Sequence, residues 1–255
     1  MSGQKIYHLN IGREQLEGAQ IALIPGDPDR VAKIATHLSE SRPLGRHREY
    51  FSHIGKVNGK SVVVCSTGIG GPSTAICVEE LAMLGVKTFV RIGTTGAIQP
   101  HIPIGSVVVT QASVRLDGTS GHYLPSEFPA VGDFGVTQAL VNASNELGFP
   151  PFVGITASSD TFYPGQERYE RVASHLLPQW IGSAERWKRF GVLNYEMESA
   201  SLFAVCTALG VKAGCVLSVI ANRTKSEHVK RDAVEETEAK AIHVAVRAVA
   251  ALVNQ

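Results

Sequence analysis

Two glutamates one residue apart, Glu196 and Glu198 in the run NYEMESA, stand between a strand-like and a helix-like stretch. On an extended segment alternate residues face the same side. The two carboxylates would therefore repel, and at least one would hold its proton more tightly unless cations or hydroxyl donors lie nearby. A compensating group is expected. In RIGTTGAI, Arg91 lies within an apolar strand and Thr94, Thr95 and Gly96 follow at its end. A buried arginine requires an anion: a structural carboxylate would serve, but the Thr-Thr-Gly turn adds hydroxyl and N–H donors that suit phosphate or a sugar better.

The segment Gly26-Asp27-Pro28-Asp29-Arg30 is placed where a strand feeds a helix, so backbone N–H groups, the positive helix end and Arg30 could converge on an anion. An ordinary capped turn fits these residues equally well. STGIGGPST, with Gly68, Gly70 and Gly71, resembles a dinucleotide fingerprint, but Ser73 stands at the third glycine position and no acid closes the next strand. A close-packed turn or a small-ligand site is the better reading. Walker-type, G-x-S-x-G and H-E-x-x-H motifs are absent. RHREY, holding Arg46, His47, Arg48 and Glu49, reads by itself as a solvated charged loop ahead of a strand. FYPGQERY is richer: Phe162 and Tyr163 offer stacking surfaces, Gln166 a donor and acceptor amide, Arg168 a fixed cationic fork. That set suits a planar ring bearing carbonyl and imide groups, against the alternative of a surface helix start after Pro-Gly.

Such residues need a frame. The 255-residue chain, 44% hydrophobic and 18% charged, is expected to form one domain over residues 1–255 with a sizeable core. A formal charge of +1 gives no electrostatic case for nucleic acid or membrane binding, so an anionic partner would be small and locally held. The first residues lack the apolar core of a signal peptide and no apolar run would span a bilayer, which predicts a soluble, cytoplasmic protein. Cys65, Cys77, Cys206 and Cys215 form no C-x-x-C pair and lie in apolar runs, as structural free thiols do.

QIALIPG reads as a buried strand and DPDRVAKIATHL as a helix with Asp27 at the N-cap and Pro28 at its first position. EYFSHIGKV and KSVVVCST flank Asn58-Gly59, a hairpin signal, before a helix over PSTAICVEELAMLG and the strand KTFVRIG. Strands over GSVVVTQASVRL, FVGITASSD, VLNYE and KAGCVLSVIAN alternate with helices around VTQALVNASNEL, ESASLFAVCTAL and DAVEETEAKAIHVAVRAVAALV. The predicted fold is α/β, a central mixed β-sheet flanked by helices on both faces, with sites at strand ends. The stretch from Pro164 to Phe190 reads as a less regular insertion or flap.

Taken together and in order, IPGDPDR, CSTGIGGPST, RIGTTGAIQP, SSDTFYPGQERY, NYEMES and VIANRT resemble the uridine phosphorylase branch of the nucleoside phosphorylase family over nearly the whole chain. The resemblance implies that Gly26, Arg30, Arg91 and Thr94 bind phosphate, with Arg48 reaching in from a neighbouring subunit. It implies that Glu198 and the Met197 backbone hold the ribose hydroxyls, that Glu196 lies at the same sugar site, and that His8 approaches the 5′-hydroxyl across a subunit boundary. Phe162, Gln166 and Arg168 would receive uracil, with Ile220 and Ala221 on its apolar side and Thr95, Gly96 and Tyr195 around it. Glu49, Ile69 and Ser73 match a monovalent cation site, for potassium, at a dimer interface. No organic cofactor is implied, inorganic phosphate is the co-substrate, and the assembly implied is a hexamer, a trimer of dimers.

Breaking a glycosidic C–N bond leaves positive charge on the sugar and negative charge on the base, so an anion near C1′ and donors at the base carbonyls are required. Phosphate supplies the first and is the nucleophile; Arg168 and Gln166 supply the second. Purine-type relatives are expected to carry a Ser-Asp pair after the last core strand. Here VIANRT has Asn222 and Arg223 and no carboxylate, which favours a pyrimidine. The branch often has valine where Ala221 stands, so tolerance of substituents on the uracil ring is expected. The expected reaction is phosphorolysis of uridine, with deoxyuridine or thymidine as secondary substrates. The rivals are a purine nucleoside phosphorylase or hydrolytic nucleosidase of the same fold, and a non-catalytic nucleoside-binding protein.

Overall fold

The computed structural model describes residues 4–168, 177–226 and 231–254. Strand β1 (Ile21–Pro25) leads into α1 (Pro28–Ala35), then a meander of β2 (Ser39–His47), β3 (Tyr50–Val57) and β4 (Lys60–Cys65). Helix α2 (Gly71–Met83) returns the chain to β5 (Thr88–Ala97). The remainder runs β6 (Val107–Leu116), β7 (Ala130–Val131), α3 (Phe134–Glu146), β8 (Phe152–Ser159), α4 (Ser183–Arg189), β9 (Asn194–Glu196), α5 (Ser199–Leu209), β10 (Lys212–Asn222) and α6 (Arg231–Leu252). The Asp27 side chain accepts from Asp29 N at 2.9 Å and Pro28 opens α1, as its sequence predicts. Asn58 and Gly59, at φ of 49° and 75°, make the tight left-handed turn between β3 and β4.

The strands form one ten-stranded mixed sheet. Its middle is parallel, β4–β1–β5–β10. Beyond β10 the order continues antiparallel to β6, parallel to β8 and β9, and β9 then pairs antiparallel with β5. Strands β5, β10, β6, β8 and β9 thus close a ring that draws Gly96 of β5 against Tyr195 of β9 and Ala221 of β10.

Apolar side chains alternate between two cores, as a sheet covered on both faces requires. Ala22, Ile24, Val63 and Cys65 pack with Val78 and Leu81 of α2 and Phe203 and Val205 of α5. Ile21, Leu23, Val62 and Val64 pack with Val31 and Ile34 of α1, Leu140 of α3 and Val244 and Val249 of α6. The cysteines are buried free thiols, and burial above all pushes Cys215 up to about 12. Among the described residues no helix is long and apolar enough to cross a membrane.

Three elements escape the pattern-based reading. β2 carries Pro43 and Gly45, has no buried position and lies at the sheet edge, where hydrophobic alternation is not needed. RHREY is accordingly a loop only in part: Arg46 and His47 end β2, while Arg48, at φ 57°, and Glu49 turn the chain into β3. β7 has two residues, too few for any periodicity. The irregular stretch Pro164–Phe190 contains α4, and Tyr169 and the rest of 169–176 lie outside the described residues.

Candidate active site

The C-terminal ends of β1, β5 and β10, together with β9, surround a cavity of about 870 Å³. That volume is within the range that small-ligand sites occupy. At its inner end Arg91, buried in β5, donates Nε–H to Glu196 Oε2 at 3.2 Å and an Nη2–H to Glu198 Oε2. Its Nη1 is buried and has no hydrogen-bond partner among the described residues. Burial works against the guanidinium charge, but Glu198 and Glu196 outweigh it and raise the Arg91 pKa.

The two acids are compensated in different ways. Glu196 accepts from Glu198 N at 2.9 Å, from Ser199 N at 2.9 Å and from Ser199 Oγ at 2.6 Å. Its carboxylate caps α5 as well as holding Arg91, and the positive helix end favours it. Glu198 accepts from Gly70 N at 2.7 Å besides Arg91. Burial raises the Glu198 pKa first, Arg91 opposes that, and Glu196 adds to the rise. Both acids line the cavity with Met197 between them.

Arg30, buried on the first turn of α1, donates Nη2–H to Glu238 Oε1 of α6 at 2.7 Å and Nη1–H to Ile92 O at 3.4 Å, while its Nε has no partner among the described residues. A Cβ on Gly26 would lie 3.3 Å from Gly68 O and 3.9 Å from Arg91 Nη1, so the absence of a side chain lets the turn after β1 close on the turn after β4. Gly26, Arg30, Arg91 and Thr94 all line this corner.

At the outer end the Arg168 guanidinium stacks 4.0 Å over the Phe162 ring and donates to Gln166 Oε1 at 3.3 Å through Nη2. Arg223 Nη2 donates to the Gln166 carbonyl at 2.7 Å. Glu167 ties this turn to the start of α4 by accepting from Gly182 N and Ala184 N. Opposite, the β5–β10 register shifts between Val219 and Ala221, so Ile220 bulges out of β10 and lines the cavity with Ala221. Thr95 and Tyr195 also line it, but the Thr95 hydroxyl is spent on the frame, donating to Tyr195 O at 2.6 Å and accepting from Asn194 Nδ2 at 2.7 Å.

Most of the residues singled out in the sequence therefore share one cavity; His8, Arg48 and Ser73 do not line it. Ser73 donates to the Ile69 carbonyl at 3.0 Å, and Glu49 packs so close to Gly68 that a Cβ there would lie 2.8 Å from Glu49 Cγ. Glu49 and Ile69 line the cavity rim. Gly93, which also lines it, and Glu238, which holds Arg30 across 208 residues, were not picked out from sequence. A glutamate on a long helix carries no local signal of such a contact.

An arginine clamping two carboxylates, a glycine-lined corner with a guanidinium nitrogen unpartnered among the described residues, and a planar cationic shelf thus face one cavity. The chain belongs to the phosphorylase superfamily, whose family model matches residues 20–254. It is 53% identical to the uridine phosphorylase of Salmonella typhimurium over 248 residues, 97% of this chain and 98% of that one. It is 46% identical to the uridine phosphorylase of Thermococcus kodakarensis over 218 residues, 83% of this chain and 76% of that one. A guanosine phosphorylase of Halorubrum lacusprofundi is 35% identical over 235 residues, 92% of each chain.

Proposed function

We propose that the chain is a uridine phosphorylase, a pentosyltransferase that converts uridine and phosphate reversibly to uracil and ribose 1-phosphate. One observation carries the reading of the site. Arg91 binds Glu198 through Nη2 while its buried Nη1 is left over beside Gly26, so one guanidinium can join a sugar-gripping carboxylate to an anion beneath the sugar.

In this reading phosphate lies on Gly26, Arg30, Arg91 and Thr94. A phosphate oxygen attacks C1′ as the C1′–N1 bond breaks, and the bonding pair leaves on uracil. Glu198 and the Met197 backbone orient the diol, and the negative charge on Glu198 and phosphate favours the oxocarbenium-like sugar. Gln166 and Arg168 donate to the uracil anion, which takes its proton from water, and Phe162 stacks on the ring. Thr95, Gly96, Tyr195, Ile220 and Ala221 shape the base pocket. Deoxyuridine and thymidine are secondary substrates.

Asn222 supports pyrimidine over purine. Its Nδ2 donates to Gln99 O and Ile102 O at 3.0 and 2.7 Å, and its Oδ1 accepts from Thr224, so nothing there is left to serve a purine ring nitrogen. His8 and Arg48 lie outside their own cavity and serve that of a second copy, which makes the active unit an oligomer, a trimer of dimers. Glu49, the Ile69 carbonyl and the Ser73 hydroxyl are oxygen donors of the kind a potassium ion takes. One chain offers too few for a full shell, which fits an ion shared between two copies.

The test is the absorbance change with uridine and with inosine, each with and without phosphate. Turnover of uridine only in phosphate is expected. Phosphate-independent cleavage would make the protein a nucleosidase, faster inosine turnover a purine enzyme, and uridine binding without turnover a binding protein.

A further inference from the structure

Outside the cavity, the Glu80 carboxylate is buried on α2 and bound by several donors of one distant segment. It accepts from His8 N at 3.0 Å, from Leu9 N at 2.8 Å, and is 2.6 Å from His8 Nδ1. The His8 carbonyl accepts from His47 Nδ1 at 2.7 Å. A single-turn segment more than 70 residues away in sequence is thereby gripped at two successive amides, one ring nitrogen and one carbonyl. A buried acid whose one cationic partner among the described residues is this imidazole is an expensive way to pin a surface turn, since an apolar contact would do so without desolvating a charge. What the acid adds is chemical. With Nδ1–H donated to a carboxylate, the ring of a neutral His8 is held in the tautomer whose Nε2 bears a lone pair, and its plane is fixed. His8 keeps 32% of its side chain exposed, although the backbone beside it at Leu9 is buried.

We infer that Glu80 is a positioning residue for the reaction: it fixes the tautomer and the aim of His8 so that Nε2 accepts the 5′-hydroxyl of a nucleoside bound in a second copy of the chain. The inference rests on the proposed service of His8 to a neighbouring site. Glu80 touches no substrate and acts only through the imidazole, so its effect is confined to substrates that carry the 5′-hydroxyl.

The experiment compares kcat/KM for uridine and 5′-deoxyuridine, at saturating phosphate, in the wild type, Glu80→Leu, Glu80→Asp and His8→Ala. One lost hydrogen bond predicts that the wild type favours uridine by about tenfold over whatever the missing hydroxyl costs chemically. In Glu80→Leu and His8→Ala that preference shrinks to a common lower value, and Glu80→Asp, which keeps an acceptor, retains part of it. If His8→Ala collapses the preference while Glu80→Leu leaves it at the wild-type ratio, Glu80 is structural only and the inference fails. If His8→Ala leaves the ratio unchanged, the assignment of His8 to the sugar fails first. Because each ratio is taken on one protein, partial loss of folded enzyme cancels. Nitrogen NMR of the wild type gives a check that needs no Glu80 variant: a neutral His8 protonated at Nε2 instead of Nδ1 would overturn the inference.

Discussion

Replacing Arg91 by methionine keeps most of the side-chain bulk in β5 and removes the cation shared by two buried acids. Glu196 would keep its bonds from Glu198 N, Ser199 N and Ser199 Oγ, whereas Glu198 would keep only Gly70 N. Breaking one member of a buried, hydrogen-bonded ion pair costs about 3–5 kcal/mol. For a chain of this length each kcal/mol lowers Tm by about 2–4 °C, so a fall of roughly 6–20 °C is expected. The loss should depend on pH. Burial already raises the Glu198 pKa while Arg91 opposes the rise, so removing Arg91 raises it further. Above the ordinary carboxylate value of about 4.3 the folded variant then binds more protons than the unfolded chain, and its stability falls as pH rises. The Tm deficit relative to wild type should narrow as pH falls from the neutral range toward the ordinary carboxylate value. Arg91→Met with Glu198→Gln, which removes the stranded charge, should recover part of the lost stability. Scanning fluorimetry of the wild type, Arg91→Met and the double variant across that pH range decides it. A deficit under 1 kcal/mol, or one that ignores both pH and the second substitution, would refute the view that Arg91 compensates the acids.

Three further outcomes are expected. If ionised Glu198 grips the diol, kcat/KM for uridine should fall on acidification at a pH above the ordinary carboxylate range, because burial raises this carboxyl; an acid limb at or below about pH 4.3 would contradict that. Gly26→Ala places a Cβ 3.3 Å from Gly68 O at the anion corner, so the KM for phosphate should rise by about fivefold, equivalent to ~1 kcal/mol, with Tm little changed; an unaltered phosphate KM would remove Gly26 from the phosphate site. Ala221 is 3% exposed and lines the base end of the cavity, so Ala221→Val should narrow the range of 5-substituted uridines turned over; equal discrimination by both proteins across such a series would reject that role.

Much of the frame could be read without coordinates wherever a short-range rule decides. Asp27 and Pro28 start α1 because a carboxylate cap and a ring with no N–H suit that one position. Asn58 and Gly59 turn the chain because both tolerate positive φ. The buried strands are visible because two covered faces demand unbroken apolar runs. β2 was invisible because an edge strand in contact with solvent imposes no such demand. α4 was hidden in a stretch whose polar residues show no apolar stripe.

At the site the chain order contains the problem and the fold contains its solution. Two acids at positions 196 and 198 announce that a counter-charge is required, and Arg91 in an apolar strand announces that an anion is required. That each answers the other across 105 and 107 residues depends on the ring of strands that lays β9 against β5. The same holds for Glu80 with His8 and for Glu238 with Arg30. Local sequence determines which groups must be neutralised, since desolvation is a property of each residue and its immediate run. Tertiary structure alone decides by what, because hydrogen bonds reach only about 3 Å and only the packed sheet brings distant residues that close.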